Sequence, residues 1–236
     1  MEDLVSVIIS SYNRYDSLKV AIDSLKNQTY KNLEIIVIDD GSSDIRYKNK
    51  IQGIEIINLE NKNSRKVLGF PSCGYVRNFG FRKAKGKYIA ILDDDDYFLP
   101  NKIKTQVKIL NEKKLLACCS EAFLSQDTII KDNPTKGLLN YNREYWWKEL
   151  VKKLGIKHNI PNEIDSNLIS KHNLIICSSV IFNREVFKLI GYMPEVQNHK
   201  GTNGIYQDYN YWIELIKHSN IYYIKDPLLI YYHKYK

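Results

Sequence analysis

Short apolar runs that stop at polar or acidic residues alternate, along the first half of the chain, with stretches of helical spacing. Leu4 to Ile9 predicts a strand buried on both faces, with Ser10-Ser11-Tyr12-Asn13-Arg14 as the loop beyond its carboxyl end. From Tyr15 to Asn27 the apolar positions Leu18, Ile22 and Leu25 recur at helical spacing, and Asp16 is available as an N-cap. Leu33 to Ile38 predicts a second strand that runs into Asp39-Asp40-Gly41-Ser42-Ser43-Asp44. A strand, a helix and a strand in this order imply parallel pairing and a right-handed crossover. A third short strand is expected over Ile54 to Leu59, then a polar, basic loop from Asn61 to Ser72, then a helix from Cys73 to Ala84 that contains Arg77 and Asn78.

The pattern is sharpest at Tyr88-Ile-Ala-Ile-Leu-Asp93-Asp94-Asp95-Asp96, where a buried-strand run ends in four consecutive carboxylates. In open α/β sheets ligands bind in the crevice beyond the carboxyl ends of the strands. Four carboxylates so close raise one another's pKa values unless a cation compensates them. A hard divalent ion, Mn²⁺ or Mg²⁺, suits oxygen ligands of this kind. The competing reading is a solvated acidic turn, with Tyr97, Phe98, Leu99 and Pro100 breaking the strand before a helix over Asn101 to Lys113. An EF-hand loop does not fit, because Phe98 stands at the sharp-turn glycine position and Lys104 at that of the final Glu.

After a strand expected over Leu115 to Glu121 the periodicity loosens. Tyr145 to Leu154 is amphipathic, with Trp146, Leu150 and Leu154 one helical turn apart; it reads as a core-packed helix, or else as a lid or membrane-surface contact. Leu174 to Phe182 resumes strand character, Arg184 to Ile190 is a short helix ended by Gly191, and His199 to Gly204 is a glycine-flanked loop. Gln207 to Ile216 predicts a helix with Asp208 at its start, where an aspartate is most often a cap. Ile221 to Ile224 and Leu228 to His233 are strand-like.

Composition narrows the partners only a little. The 236 residues, 44% hydrophobic and 26% charged, are ordinary for a soluble globular chain of one large domain or two small ones. A net charge of +8 suits an anionic partner such as a nucleotide diphosphate, an anionic lipid surface or nucleic acid. No recognisable nucleic-acid module supports the last of these. Cys73, Cys118, Cys119 and Cys177 show neither a CxxC pair nor zinc spacing and read as reduced thiols. The start of the chain lacks the features of a signal peptide and no apolar run approaches a membrane span, so a cytoplasmic location is expected, with peripheral membrane contact left open.

Val5-Ser-Val-Ile-Ile-Ser-Ser-Tyr-Asn-Arg14, Ser24-Leu-Lys-Asn-Gln-Thr-Tyr30, Glu34-Ile-Ile-Val-Ile-Asp-Asp-Gly-Ser-Ser-Asp44, Arg77-Asn78-Phe-Gly80 and Gly86 to Asp96, in this order and spacing, resemble family 2 glycosyltransferases. The resemblance is dense from Leu4 to Pro100 and thinner through Ser178 to Phe187, Gly191 and Gln207-Asp208-Tyr209. It implies an α/β GT-A fold with a Rossmann-like, mostly parallel central sheet flanked by helices. It implies one domain over 1–236, with a nucleotide-sugar-binding half (1–115) and a smaller acceptor half (116–236). It further implies a metal ion and an inverting transfer of sugar from a nucleotide-sugar, UDP-sugar by family expectation, to a glycan, lipid-linked or protein acceptor.

Carried over residue by residue, Ser10, Tyr12 and Asp40 match positions that hold the base and ribose. Asp93-x-Asp95 matches the metal-binding motif, with Asp95 as direct ligand and Asp93 or Asp94 nearer the ribose. Asp208 matches the general base, and His233 resembles a late histidine that completes the metal site in some members. Arg14, Arg46, Arg65, Lys66 and Arg77 are candidates for the diphosphate, each with a solvated surface charge as its alternative. The chain departs from the family at Gln207, where an acid usually precedes the base, and at Glu214, where a basic residue is common. Two other functions compete: a catalytically silent sugar-nucleotide or glycan binder, and a nucleotidyltransferase. The second needs a glycine-rich loop after the first strand, which Ser10 to Arg14 does not provide.

Overall fold

The computed structural model describes residues 2–125, 161–171, 173–196 and 207–232. Its first unit is the expected one: strand β1 (Val5–Ser11), helix α1 (Tyr15–Lys26) and strand β2 (Leu33–Asp39), with β1 and β2 parallel. Strand β3 (Ile54–Asn58) extends the sheet beyond β2, and β4 (Tyr88–Asp93) lies parallel to β1 on its other side. The register sets Ser10 opposite both Ile38 and Asp93, so three strands end level with one another. That alignment brings the polar loops after β1, β2 and β4 to one edge of the sheet.

The second half joins the same sheet. Strands β5 (Tyr97–Phe98), β6 (Ala117–Ser125), β7 (Glu163–Ile164), β8 (Ile181–Asn183) and β9 (Ile221–Tyr232) complete the order β3-β2-β1-β4-β8-β6-β9-β5, with β7 on β9. The long ladders are parallel, while the antiparallel ones span only two or three residue pairs each. Alternate residues of each strand point to opposite faces, and the two faces bury different helices. Val7 and Ile9 pack with Leu18, Ile22 and Leu25 of α1 and with Ile103, Val107 and Leu110 of α4 (Lys102–Lys113). Ile8, Ile36 and Ile89 pack with Val76 and Phe81 of α3 (Cys73–Lys83) and with Tyr211, Trp212 and Leu215 of the last helix.

Several expectations needed a third dimension to correct. Asp16 does not cap α1; Arg14 occupies the N-cap position without a side-chain capping bond, and Asp16 pairs instead with Arg46. The loop from Asn61 to Ser72 contains a short helix, α2 (Ser64–Leu68), capped by Asn63 and ended by left-handed Gly69. Within Leu174 to Phe182 only Ile181 onward is strand, because Cys177–Ser179 forms a 3-10 turn under the end of β4. The last two strand-like runs are one strand, β9, whose ladder to β6 shifts register around Glu121. Short helices α5 (Ser166–Ile169) and α6 (Val186–Ile190) precede α7 (Gln207–Ile216). Tyr145 to Leu154, His199 to Gly204 and His233 lie outside the described residues.

Candidate functional site

Beyond the level strand ends lies an open cleft of about 430 Å³, within the usual range for a small-molecule site. Its walls include Ser10, Tyr12 and Arg14 after β1, Asp40 after β2, Arg77 from α3, Asp93, Asp94 and Asp95 after β4, and Tyr231 from β9. Ser10, Tyr12, Arg14, Asp40, Arg77, Asp93, Asp94 and Asp95 therefore line one space.

The loops are tied to one another before any ligand is considered. Asn13 takes a left-handed backbone (φ 52°), which asparagine tolerates better than most residues, and its amide N–H donates to Ser42 Oγ at 2.8 Å. Ser43 N–H donates back to Asn13 Oδ1 at 2.9 Å, so the loops after β1 and β2 clasp. Asp39 points away from the cleft and is buried, accepting from Ser42 N–H at 2.9 Å and from Asn58 Nδ2 at 2.6 Å. Asp40 lines the cleft and accepts from Ser64 N–H at 2.7 Å, Ser64 Oγ at 2.6 Å and Arg65 Nη1 at 3.3 Å. The Arg65 guanidinium lies 3.9 Å from the centroid of the Tyr12 ring. Tyr12 is 38% exposed, high for so large an aromatic beside a cleft.

The four carboxylates diverge sharply. Asp93 N–H donates to Ser178 Oγ at 3.0 Å, and its Oδ1 accepts from Arg77 Nη2 at 2.5 Å. Asp94 is buried and accepts from Ser11 Oγ at 2.7 Å, while Arg14 Nη1 bridges Asp94 at 3.1 Å and Asp95 at 2.7 Å. Asp96 faces away from the cleft into the core, where it is buried and accepts from Tyr232 N–H at 2.9 Å.

Burial pushes the Asp94 carboxyl up to about 6, with Asp95 adding to the rise against the Ser11 hydrogen bond and Arg14. Burial, then Asp93, raises Asp95; burial raises Asp96 furthest. Such a cluster gains from a compensating cation, and Arg14 supplies one positive charge to it.

Among the described residues no three His, Cys, Asp or Glu side chains surround a metal position. The donor chemistry nevertheless fits a hard divalent ion. Asp93 and Asp95 offer carboxylate oxygens to the cleft, and the raised proton affinity of Asp95 marks a carboxylate short of positive charge.

Asp208 stands in the first turn of α7 and its Oδ1 accepts from Tyr209 N–H at 2.9 Å. It is partly buried and is not among the cleft's walls as described. Burial raises its pKa, the nearby Arg77 guanidinium opposes the rise, and Asp93 adds to it. The helix start thus lies within electrostatic reach of the cleft's inner wall.

Two of the proposed diphosphate cations stand elsewhere. Arg46 pairs with Asp44 at 2.7 Å and Asp16 at 2.8 Å on the outer surface, and Lys66 Nζ donates to the Glu60 carbonyl at 2.9 Å. Pattern reading also passed over Ser11, Tyr47 and Ser178. Tyr47 sits within 2.6 Å of Ser11 Oγ from a 3-10 turn with no periodic signal of its own. Ser11 and Ser178 carried a weak signal, each lying next to an apolar run that ends at the cleft.

A family model described as glycosyl transferase family 2 matches residues 6–188, which leaves the Asp208 helix outside the match. The chain is 30% identical over 216 residues to the Escherichia coli UDP-Glc:alpha-D-GlcNAc-diphosphoundecaprenol beta-1,3-glucosyltransferase WfaP, covering 91% of this chain and 70% of that protein. It is 29% identical over 226 residues to the Escherichia coli enzyme of the same description, WfgD, covering 94% of this chain and 73% of that one. Among solved structures, S. aureus TarS 1-349 in complex with UDP-GlcNAc superposes with a TM-score of 0.64 at 18% identity, over 99% of this chain and 59% of that chain. The chain therefore belongs to glycosyl transferase family 2 and has the GT-A fold of glycosyltransferases.

Proposed function

We propose that this chain transfers a sugar from a UDP-sugar to a lipid-linked glycan in a single inverting displacement, with Asp208 as general base. The observation that carries the reading is the gathering of Tyr12, Asp40, Arg77, Asp93 and Asp95 around one cleft at the level ends of three parallel strands. Residues 1–115 form the donor half and 116–236 the acceptor half.

Tyr12 offers the base the part of its ring that Arg65 leaves exposed, and Asp40 offers carboxylate oxygens to base or ribose N–H and O–H groups. Ser10 and Asp94 line the same wall toward the ribose. Arg77 and Arg14 place positive charge where the diphosphate departs. Asp95, with Asp93 beside it and His233 completing the set, would hold Mn²⁺ or Mg²⁺. When bound, such an ion neutralises charge on the leaving diphosphate. Asp208 accepts the acceptor hydroxyl's proton, and burial, by raising its proton affinity, suits it to that task.

Support for UDP comes from the names of WfaP and WfgD and from the nucleotide-sugar in the TarS complex; support for a lipid-linked acceptor comes from the same two E. coli names. An acceptor of that kind places the reaction at a membrane surface. Contact of this chain with that surface is proposed to be peripheral; among the described residues no helix is long and apolar enough to cross a membrane.

Calorimetric titration with UDP, GDP and dTDP, with and without Mn²⁺, tests the donor side on wild type and Asp95→Ala. Mn²⁺-dependent binding of UDP alone, lost in the variant, is expected. Binding of none of the three by folded protein overturns the assignment. Turnover of UDP-glucose with a GlcNAc-diphosphoprenol acceptor then tests Asp208→Asn, whose full activity would sink the base and whose parent's inactivity would favour a silent binder.

A further inference from the structure

The side chain just before Asp208 reaches out of its own helix. Gln207 is buried, and its Oε1 accepts from Gly74 N–H at 2.6 Å while its Nε2 donates to Ser72 Oγ at 2.8 Å and to the Glu195 carbonyl at 2.9 Å. Gly74 N–H can only donate and the Glu195 carbonyl can only accept, so the partners fix the amide's orientation. A carboxylate could meet the first and not the second.

Ser72 and Gly74 open α3. A helix start exposes N–H groups with no partner inside the helix, and Ser72 Oγ satisfies that of Tyr75 at 3.1 Å. Gly74 N–H belongs to the same unsatisfied set, and the group that satisfies it comes from α7, 133 residues away in sequence. Gly74 is glycine for a related reason: a Cβ there would meet the Pro194 carbonyl oxygen at 2.0 Å. Helix α3 carries Arg77 one turn further on, and Arg77 holds Asp93.

From this geometry we infer that Gln207 is a positioning residue: by capping α3 from the first residue of α7, its amide sets where Asp208 stands relative to Arg77 and the donor. The inference rests on the reading of Asp208 as base. It also gives a reason for a neutral amide at this position. A carboxylate would set negative charge against the Glu195 carbonyl and next to Asp208. The amide makes all three bonds without charge, leaving Arg77 as the dominant ionic influence on the base besides Asp93.

Gln207→Met keeps length and loses both polar ends; Gln207→Glu keeps the acceptor and loses the donor. In hydrogen exchange read by mass spectrometry, both variants are expected to exchange faster over residues 72–78 and 207–212, with β1 and β4 unchanged. In Gln207→Glu alone, lowering the pH is expected to restore protection, because a protonated carboxyl again both accepts and donates. With UDP-glucose and a GlcNAc-diphosphoprenol acceptor, kcat is expected to fall about 10-fold or more while the KM for UDP-glucose moves less than about 3-fold, since a displaced base costs rate and not ground-state binding.

Unchanged exchange over residues 72–78 in both variants overturns the cap. Faster exchange with unchanged kcat, or a loss of donor affinity that parallels the loss of rate, overturns the positioning role and leaves a merely structural one. Asp208→Asn, run in parallel, separates the two readings: if it retains activity the base assignment fails, whatever Gln207 does.

Discussion

Ser11 Oγ donates a 2.7 Å hydrogen bond to Asp94 Oδ2, tying the last residue of β1 to the acidic turn that follows β4. Both residues are buried, and the same hydroxyl lies 2.6 Å from Tyr47 OH. A buried acceptor that loses its donor bears its own desolvation penalty, about 1–3 kcal/mol. Ser11→Ala is accordingly expected to lower unfolding free energy by about that much, measured by urea titration. An unchanged midpoint would show that Asp94 finds another donor.

Arg77 is a buried cation whose ionic partner among the described residues is Asp93. Its side chain is 6% exposed against 29% for Asp93, so removing the guanidinium strands a carboxylate that water only partly reaches. Full burial of an unpaired partner costs about 3–5 kcal/mol, and partial access reduces that to about 2–3 kcal/mol. Arg77→Met is expected to show that loss in denaturant unfolding and to weaken UDP binding in the same calorimetric assay, with Arg77→Lys recovering only part, because an ammonium keeps the charge but is more strongly hydrated than a guanidinium and tolerates burial less well.

Gly74→Ala sets a methyl against backbone. The clash with the Pro194 carbonyl oxygen at 2.0 Å cannot be relieved by a rotamer, so α3 and the chain before Val196 must part. Overpacking of this kind costs about 1–3 kcal/mol, which exceeds the gain of at most about 1 kcal/mol from alanine's helix preference. A fall in melting temperature is expected; a rise would mean that the two segments are not held together in solution.

Lys102 is wholly buried, donating to Gln106 Oε1 and to the Ser179 carbonyl, and lying 4.2 Å from the Phe98 ring centroid. Burial lowers its pKa to about 7 from 10.5. Below pH 7 the folded and unfolded chains both carry the proton, and the fold bears the full penalty of burying charge. Between about 7 and 10.5 the folded chain releases the proton and the unfolded chain keeps it, so stability rises with pH by up to about 1.4 kcal/mol per unit. Lys102→Met lacks this dependence. Its stability relative to wild type is expected to be highest below pH 7 and to decline toward pH 10; a difference flat across that range refutes the assignment.

The ends of the first three strands, the acidic run and α1, α3 and α4 were legible in the chain's own pattern, because each depends on neighbours within a few residues. Apolar runs that stop at Ser10, Asp39 and Asp93 foretell both the buried strands and the side chains left at their ends. Residue order alone was thus enough for the α/β class and most of the donor cleft. Local pattern misled where a distant group competes: Arg46 took Asp16 from its capping role, and the 3-10 turn at Cys177–Ser179 interrupted an apolar run to bring Ser178 under Asp93.

Tertiary structure alone decided how the four acids divide. Identical residues in one run meet Arg77, Ser11, Arg14 and the Tyr232 amide respectively, since each neighbour arrives from a different element. It alone turned Gln207 from an apparent departure into the cap of a helix 133 residues away. Hydrophobic periodicity records which face of an element is buried; the hydrogen-bond partner of a buried polar atom is set by where the chain returns, and nothing in the flanking residues encodes that.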